Sequence, residues 1–359
     1  MPTKDELKMF QNYPLDMKIR KTQLRIREWV GYYGSDGVYV SFSGGKDSTV
    51  LLHLVRQMYP NVEAVFVNTG LEYPEIQSFV KLFDNVTILR PKMRFDEVIR
   101  KHGYPIIGKN VAHNVKIARN CPDGNVVKNI FNPEKRGQYA MYKWLPLASV
   151  DFLISEKCCD VMKKAPAHDF QKATGKVPIL ATMAHESKMR QDSWLHNGCN
   201  AFDIKNPHSA PMSFWTEQDI LQYIKENSLP IASVYGDIVT TGTAQATASY
   251  SLLDMQDIFN DEKKTIEFAK KCKQGACEKL CTTGCDRTGC VFCGFGAHIG
   301  KGESRFEKLK RTHPRQYEYC LGGGAYDTDG LWKPTKDGLG MQHIFNVLNN
   351  IYGKDFIKY

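Results

Sequence analysis

Val38-Tyr39-Val40-Ser41-Phe42 is a short β-branched and aromatic run that predicts a strand. The period then changes: Val50, Leu51, Leu54, Val55 and Met58 recur at the spacing of one helix face between Thr49 and Met58. A second apolar run at 62–67 leads into a helical stretch from Tyr73 to Phe83, and a third strand at 86–89 stops at Arg90-Pro91. Lys176–Met183 is expected to be a further buried strand. Strands alternating with helices predict an α/β domain built on a parallel sheet covered on both faces. Upstream, residues 16–31 form an amphipathic pattern with Ile19, Gln23, Ile26 and Val30 on one side. Lys18, Lys21, Arg25 and Arg27 fall mostly elsewhere, and that basic side is read as a solvated face.

Between 103 and 150 the turns at Gly103-Tyr104-Pro105 and Asn132-Pro133, with aromatics from 139 to 152, predict a packed helical excursion. Thr216, three residues before Asp219, opens a capped helix with Ile220, Leu221 and Ile224 as its apolar face, read as scaffold. From Gly236 to Ser251 the chain has no apolar period, so a loop over the site and an ordered excursion both remain open. The expected division is an α/β nucleotide-binding domain over 1–232 and a cysteine-rich, mainly helical region over 233–359.

With 359 residues and 42% hydrophobic content the chain has ample core for one large domain or two. No 18-residue apolar run occurs and Met1 to Lys18 shows no apolar signal segment, so a cytoplasmic protein without a membrane partner is expected. A net charge of +9 suits a phosphate-bearing partner but does not separate nucleotide from nucleic acid. Eleven cysteines without a signal segment point to metal or redox chemistry rather than a disulfide framework.

Between the first strand and its helix lies Ser43-Gly44-Gly45-Lys46-Asp47-Ser48. Two glycines allow a tight fold in which successive N–H groups and a helix N-terminus converge on phosphate oxygens. Lys46, Ser43 and Ser48 add donors, and Asp47 is placed to hold a Mg2+ that bridges phosphates. The spacing is not that of a Walker loop. In a sheet of this kind the ligand sits at the carboxyl ends of the strands, where this loop and Asn68-Thr69-Gly70 are expected to meet.

The S-G-G-K-D-S segment resembles the PP-loop of the adenine nucleotide α-hydrolases, which bind ATP or a related adenylate and often cleave ATP between its α and β phosphates. Val62 through Glu75, with its F-V-N-T-G core, is similar to the second-strand signature of the phosphoadenosine phosphosulfate (PAPS) reductase family. The resemblance implies that the backbone around Phe66 reads the adenine and that Asn68, Thr69 and Gly70 lie beside the nucleotide. Glu186-Ser187-Lys188-Met189-Arg190 is similar to that family's E-S-x-x-R segment, which implies a phosphate contact for Arg190.

Cys290-Val291-Phe292-Cys293, with Gly289 and Gly294 on either side, is a C-x-x-C turn that by itself leaves zinc, a redox dithiol and iron–sulfur open. The adjacent pair Cys158-Cys159 weighs against one tetrahedral ion, since neighbouring residues rarely serve it without strain. Adenylylsulfate-reducing members of the resembled family hold a 4Fe–4S cluster with a C-C pair and a later C-x-x-C. By that resemblance the ligands are Cys158, Cys159, Cys290 and Cys293. Cys272, Cys277, Cys281 and Cys285 lie close together, the last three at helical spacing, and are read as a zinc site, an alternative cluster set or small buried residues.

From Thr282 to Cys320 the text is similar to a phage and bacterial branch of the family. True sulfonucleotide reductases carry a C-terminal E-C-G-L-H segment whose cysteine attacks sulfur. Tyr319-Cys320-Leu321-Gly322 is the nearest match and lacks both the Glu and the His, so Cys320 is a candidate nucleophile with a structural role as its rival. The resemblance therefore implies an enzyme binding ATP or an adenylylsulfate, with Lys46, Asp47 and Arg190 at the phosphates. ATP pyrophosphatase-type adenylation followed by sulfur transfer is the favoured chemistry, with a sulfur donor protein and a nucleic-acid acceptor as candidate partners. An adenylylsulfate reductase acting through Cys320, and a non-catalytic nucleotide- or redox-sensing regulator that binds nucleic acid, are the two rivals.

Overall fold

The computed structural model describes residues 2–241, 279–300 and 302–359. The chain divides into two compact units that interleave along the sequence. Met1–Phe66, Pro74–Thr87 and Lys176–Arg287 make the first, and Val67–Tyr73, Ile88–Gly175 and Thr288–Tyr359 the second. The polypeptide leaves the first unit after Phe66, returns at Pro74, leaves again after Thr87 and returns at Lys176.

The first unit carries a six-stranded sheet. Its strands are β1 (Val38–Ser41), β2 (Glu63–Val67), β3 (Val86–Leu89), β4 (Val177–Ile179), β5 (Asn200–Ala201) and β6 (His208–Ser209), in the order β3-β2-β1-β4-β6-β5. β1 is central and parallel to both neighbours, with Val40 opposite Ala64 on β2 and Ile179 on β4. β6 runs parallel to β4, and β5 pairs antiparallel with β6. Val38, Tyr39 and Val40 are all buried, as a parallel strand with both faces covered requires.

Four helices frame the sheet: α1 (Leu15–Tyr33), α2 (Lys46–Met58), α3 (Lys188–Asn197) and α4 (Glu217–Glu226). α1 turns Leu15, Lys18, Thr22, Ile26, Trp29 and Val30 inward. Lys18 therefore departs from the solvated basic face expected of it. Its Nζ lies 2.6 Å from Asp219 Oδ2 in a buried ion pair. Asp219 also closes the capping box of α4 with Thr216, so one carboxylate serves both helices. Nearby the Trp215 indole donates to Thr22 Oγ1 at 2.8 Å, and Thr22 donates to the Pro211 carbonyl at 3.3 Å. His53 Nδ1 and the Tyr223 hydroxyl, 2.9 Å apart, tie α2 to α4.

Cys281 corrects a second expectation. It lies on a strand, Lys279–Thr282, that pairs antiparallel with Ile238–Thr241 and sets Cys281 opposite Val239. The run Leu280-Cys281-Thr282-Thr283 favours extended backbone, and cross-strand pairing overrides the four-residue cysteine spacing. Cys285 is buried just beyond the strand, its N–H donating to the Val234 carbonyl at 2.9 Å. Cys272 and Cys277 lie outside the described residues, as does the stretch from 242 to 251.

The second unit is mainly helical. Phe95–His102, Lys109–Asn120, Asn125–Ile130 and Ala165–Thr174 precede the C-x-x-C, and Arg305–Thr312, Pro314–Leu321 and Met341–Tyr352 follow it. Two-residue strands Ile106–Ile107 and Gly294–Phe295 pair in parallel and fix the C-x-x-C turn against the first group. No helix among the described residues is long and apolar enough to cross a membrane.

Candidate functional site

In the first unit the turn between β1 and α2 is wired to itself. The Ser43 N–H donates to Ser48 Oγ at 3.1 Å, the two hydroxyls lie 3.0 Å apart, and Ser48 Oγ donates to the Gly45 carbonyl at 2.9 Å. Gly44 has φ +70°, and a Cβ there would lie 2.7 Å from Val80 Cγ2 and 2.8 Å from Ile76 Cγ2. Both the handedness and the space demand glycine. Gly45 caps α2 without a side chain, leaving first-turn N–H groups for an incoming acceptor.

Lys46 is buried and its ammonium is engaged. Nζ donates to the Asp286 carbonyl at 2.5 Å and lies 3.0 Å from Glu217 Oε1, while the Lys46 N–H donates to the Tyr235 hydroxyl at 3.2 Å. Arg190 pairs with Glu186, and Arg287 Nη1 stands 3.3 Å from the other oxygen of that carboxylate. Asp47 Oδ1 is buried with no hydrogen-bond partner. Burial pushes the Asp47 carboxyl above its ordinary range, with Lys46, Arg287 and Arg190 pulling back and Glu217 adding to the rise. The structure thus gathers Ser43 to Ser48 and Arg190 around one carboxylate, and adds Glu186, Glu217, Tyr235, Asp286 and Arg287, which sequence reasoning did not assign. Phe66 is 2% exposed.

Asn68, Thr69 and Gly70 belong to the second unit and form a self-braced turn. The Gly70 N–H donates to Asn68 Oδ1 at 3.0 Å, and Thr69 Oγ1 donates to Glu72 Oε1 at 2.7 Å. The turn passes directly into the cysteines, since the Val291 N–H donates to the Leu71 carbonyl at 2.8 Å.

Cys158, Cys159, Cys290 and Cys293 line one cavity with Leu71, Phe95, Pro105, Met162 and Lys163. Cys158 and Cys159 stand at the head of a π-helical turn, Asp160–Lys164, an irregularity that recurs at functional sites. The other pair is held by a tight turn in which the Cys293 N–H donates to the Cys290 carbonyl at 3.1 Å. Gly294 then passes so close to Pro105 that a Cβ would lie 2.8 Å from its carbonyl oxygen. Among the described residues, no three or more His, Cys, Asp or Glu side chains are gathered closely enough for one metal ion.

The hydrogen bond between the adjacent thiols pushes Cys158 up and pulls Cys159 down, and Lys109 and Lys163 add to the fall at Cys159. Burial pushes Cys290 up to about 11, against the pull of Lys163. Burial opposes the charge on Lys163, yet Cys290 and Glu72 together raise its pKa. Lys163 and Lys109 are therefore cations of this site, with Arg305 beside Cys293. Neither the spacing of the lysines nor their neighbours in sequence signalled it. Cys320 is fully buried, its Sγ 3.5 Å from Met341 Sδ, and burial raises its pKa.

Several known proteins are similar. An uncharacterized protein of Methanocaldococcus jannaschii is 38% identical over 73 residues, 19% of this chain and 18% of that protein. Adenosine 5'-phosphosulfate reductases of Staphylococcus haemolyticus and Lysinibacillus sphaericus are each 23% identical, over 60% and 61% of this chain and 72% and 76% of theirs. The crystal structure of a PAPS reductase from Candida auris, in complex with phosphate, aligns with a TM-score of 0.36 at 14% identity, covering 65% of this chain and 91% of that one. The family model for the phosphoadenosine phosphosulfate reductase domain matches residues 37–105 and 114–294, spanning the glycine turn, the Asn-Thr-Gly turn and all four cavity cysteines. By that match the chain belongs to the phosphoadenosine phosphosulfate reductase domain family.

Proposed function

We propose that this chain binds ATP on the Ser43–Ser48 turn, uses it to adenylate an acceptor oxygen, and then passes sulfur to the acceptor. In the first step the acceptor oxygen attacks the α-phosphorus and pyrophosphate leaves. In the second a sulfur nucleophile from a donor protein displaces AMP. A nucleic-acid acceptor accords with the net charge of +9.

The observation that carries the reading is Asp47 Oδ1, a buried oxygen without a hydrogen bond, beside the helix start that would take phosphate. An unpaired carboxylate is a poor neighbour for phosphate unless a cation stands between them. Asp47 would hold a magnesium ion there, whose chemistry would be to offset charge on the phosphates. Lys46 and Arg190 would move from their present carboxylate partners onto phosphate oxygens, the α2 N–H groups would hold the chain of phosphates in line, and Glu186 and Glu217 would be released.

The four cysteines fit a 4Fe–4S cluster. The donor set is four soft thiols with no imidazole or carboxylate among them, and a cubane takes each thiolate at a different corner, so it does not need the close convergence of a single ion. Such a cluster, when bound, supplies iron centres that tune or position sulfur chemistry. Lys163, beside Cys290, would balance the negative charge of four thiolates.

A second reading, release of sulfite from an adenylylsulfate, is favoured by the names of the relatives. It requires a nucleophilic thiol, and Cys320 is 0% exposed with its sulfur against Met341. Anaerobic protein, assayed for iron and sulfide, is to be incubated with Mg-ATP and separately with adenylylsulfate plus a thiol. AMP and pyrophosphate from the first are expected. Sulfite from the second, abolished by Cys320→Ser, would replace this reading with the reductase, and failure to bind either nucleotide would end both.

A further inference from the structure

A cavity of about 450 Å3 opens in the first unit away from the glycine turn, with none of that turn's residues in its wall. Phe10, Trp194 and Phe202 supply flat apolar surface there, and Phe10 and Trp194 meet edge to face at 6.1 Å. Four charged side chains line it: Glu6, Lys21, Arg25 and Glu28. Three of them are satisfied locally. Glu6 is taken by the N–H of Thr3 at 2.7 Å in the capping box of the helix Lys4–Gln11. Arg25 makes a two-pronged contact with Glu28 at 2.8 and 3.0 Å, and Glu28 also accepts from Asn200 at 3.2 Å.

Lys21 is the exception. Its ammonium sits 3.7 Å above the Phe10 ring and, among the described residues, has no carboxylate within ion-pair distance. Burial and the neighbouring Arg25 lower its pKa, and Cys199, Glu28 and Glu6 pull the other way without cancelling them. The Trp194 indole N–H, in the same wall, is buried without an acceptor. One cation held in no ion pair among the described residues and aromatic walls together fit a molecule with a small anionic head and a planar body.

We infer that this cavity is a second ligand site, one that takes a small aromatic carboxylate whose head pairs with Lys21 and whose ring lies among Phe10, Trp194 and Phe202. With two acids and two bases in the wall and Lys21 alone free of a direct ion pair among the described residues, a monoanion is favoured over a phosphate ester or a nucleotide. The site is independent of the proposed ATP chemistry and survives its failure.

The probes are phenylacetate and its neutral isostere phenylacetamide, titrated into the full chain by calorimetry and by tryptophan fluorescence. Phenylacetate is expected to bind saturably and at least about tenfold more tightly than the amide, the fold-change that one partly desolvated charge pair gives. Lys21→Gln should erase that preference and Lys21→Arg should keep it. Trp194→Phe should remove the fluorescence response while leaving the calorimetric signal. Equal binding of acid and amide to the unaltered protein, no saturable binding by millimolar phenylacetate, or an unchanged preference in Lys21→Gln would each overturn the proposal. The first two measurements need no variant and stand if Lys21→Gln fails to fold.

Discussion

Around Lys46 every cation has an oxygen beside it, whereas around Cys290 the walls are Leu71, Phe95, Pro105 and Met162 and the ammonium of Lys163 looks in. The first arrangement balances itself: Glu217 and Glu186 occupy the groups that would otherwise take phosphate. The second is less complete: burial pushes Cys290 and Cys293 up against the pull of Lys163 and Arg305, while Cys159 is pulled down. On the proposed reading the hard, polar site exchanges partners to bind and the soft, apolar one takes up a centre. The difference assigns the two sites different tests.

The largest effect belongs to the cysteines. Cys290→Ser is expected to lower bound iron and sulfide roughly tenfold or more in anaerobic protein, as loss of a thiolate ligand does, while Cys320→Ser leaves both unchanged. Equal iron in Cys290→Ser would remove the soft half of the comparison. Next comes Gly44→Ala, which meets Val80 and Ile76 and a φ of +70° together, and should cost about 3 kcal/mol, seen in the urea midpoint. Mg-ATP binding should be lost with it.

Glu217→Gln sharpens the contrast through its sign. Freed from that carboxylate, Lys46 should bind Mg-ATP about fivefold more tightly by calorimetry, worth roughly 1 kcal/mol. A weaker Kd would mean that Glu217 positions the lysine rather than competing for it. The smallest effect lies off both sites. Burial pushes the Glu63 carboxyl up, but Lys176 at 2.5 Å and the Thr87 hydroxyl outweigh it and hold the pKa below 4.5. Its stabilisation is thus complete above the unfolded value and drains away as pH falls through the lower folded one. Glu63→Gln should cost about 1 kcal/mol at pH 7, and the gap from wild type should close as pH falls through the lowered folded-state pKa.

Local patterns made much of the first unit readable. Strand, glycine turn and helix follow one another within 21 residues from Val38 to Met58, and each is dictated by neighbours in the chain. The cysteine pairs were visible for the same reason, since C-C and C-x-x-C are short. What stayed hidden depends on long-range contacts. Lys46 meets Glu217 and Asp286, and Lys163 meets Cys290, across separations that no periodicity reports. Lys18 shows the same limit, because a lysine in a basic helix reads as solvated until Asp219 is brought beside it. Cys281 misled for the opposite reason: its spacing from Cys285 mimics a helix, while β-pairing with Val239 decides its backbone.

The Lys18–Asp219 pair bears on how the protein is to be handled in the laboratory. An expression design trimmed to begin at the first strand would keep every residue of the glycine turn and still remove α1, taking away Lys18, the ammonium paired with Asp219, and uncovering the apolar core that Ile26, Trp29 and Val30 shield. Such a product would be expected in inclusion bodies, and its inactivity would say nothing about chemistry at Lys46.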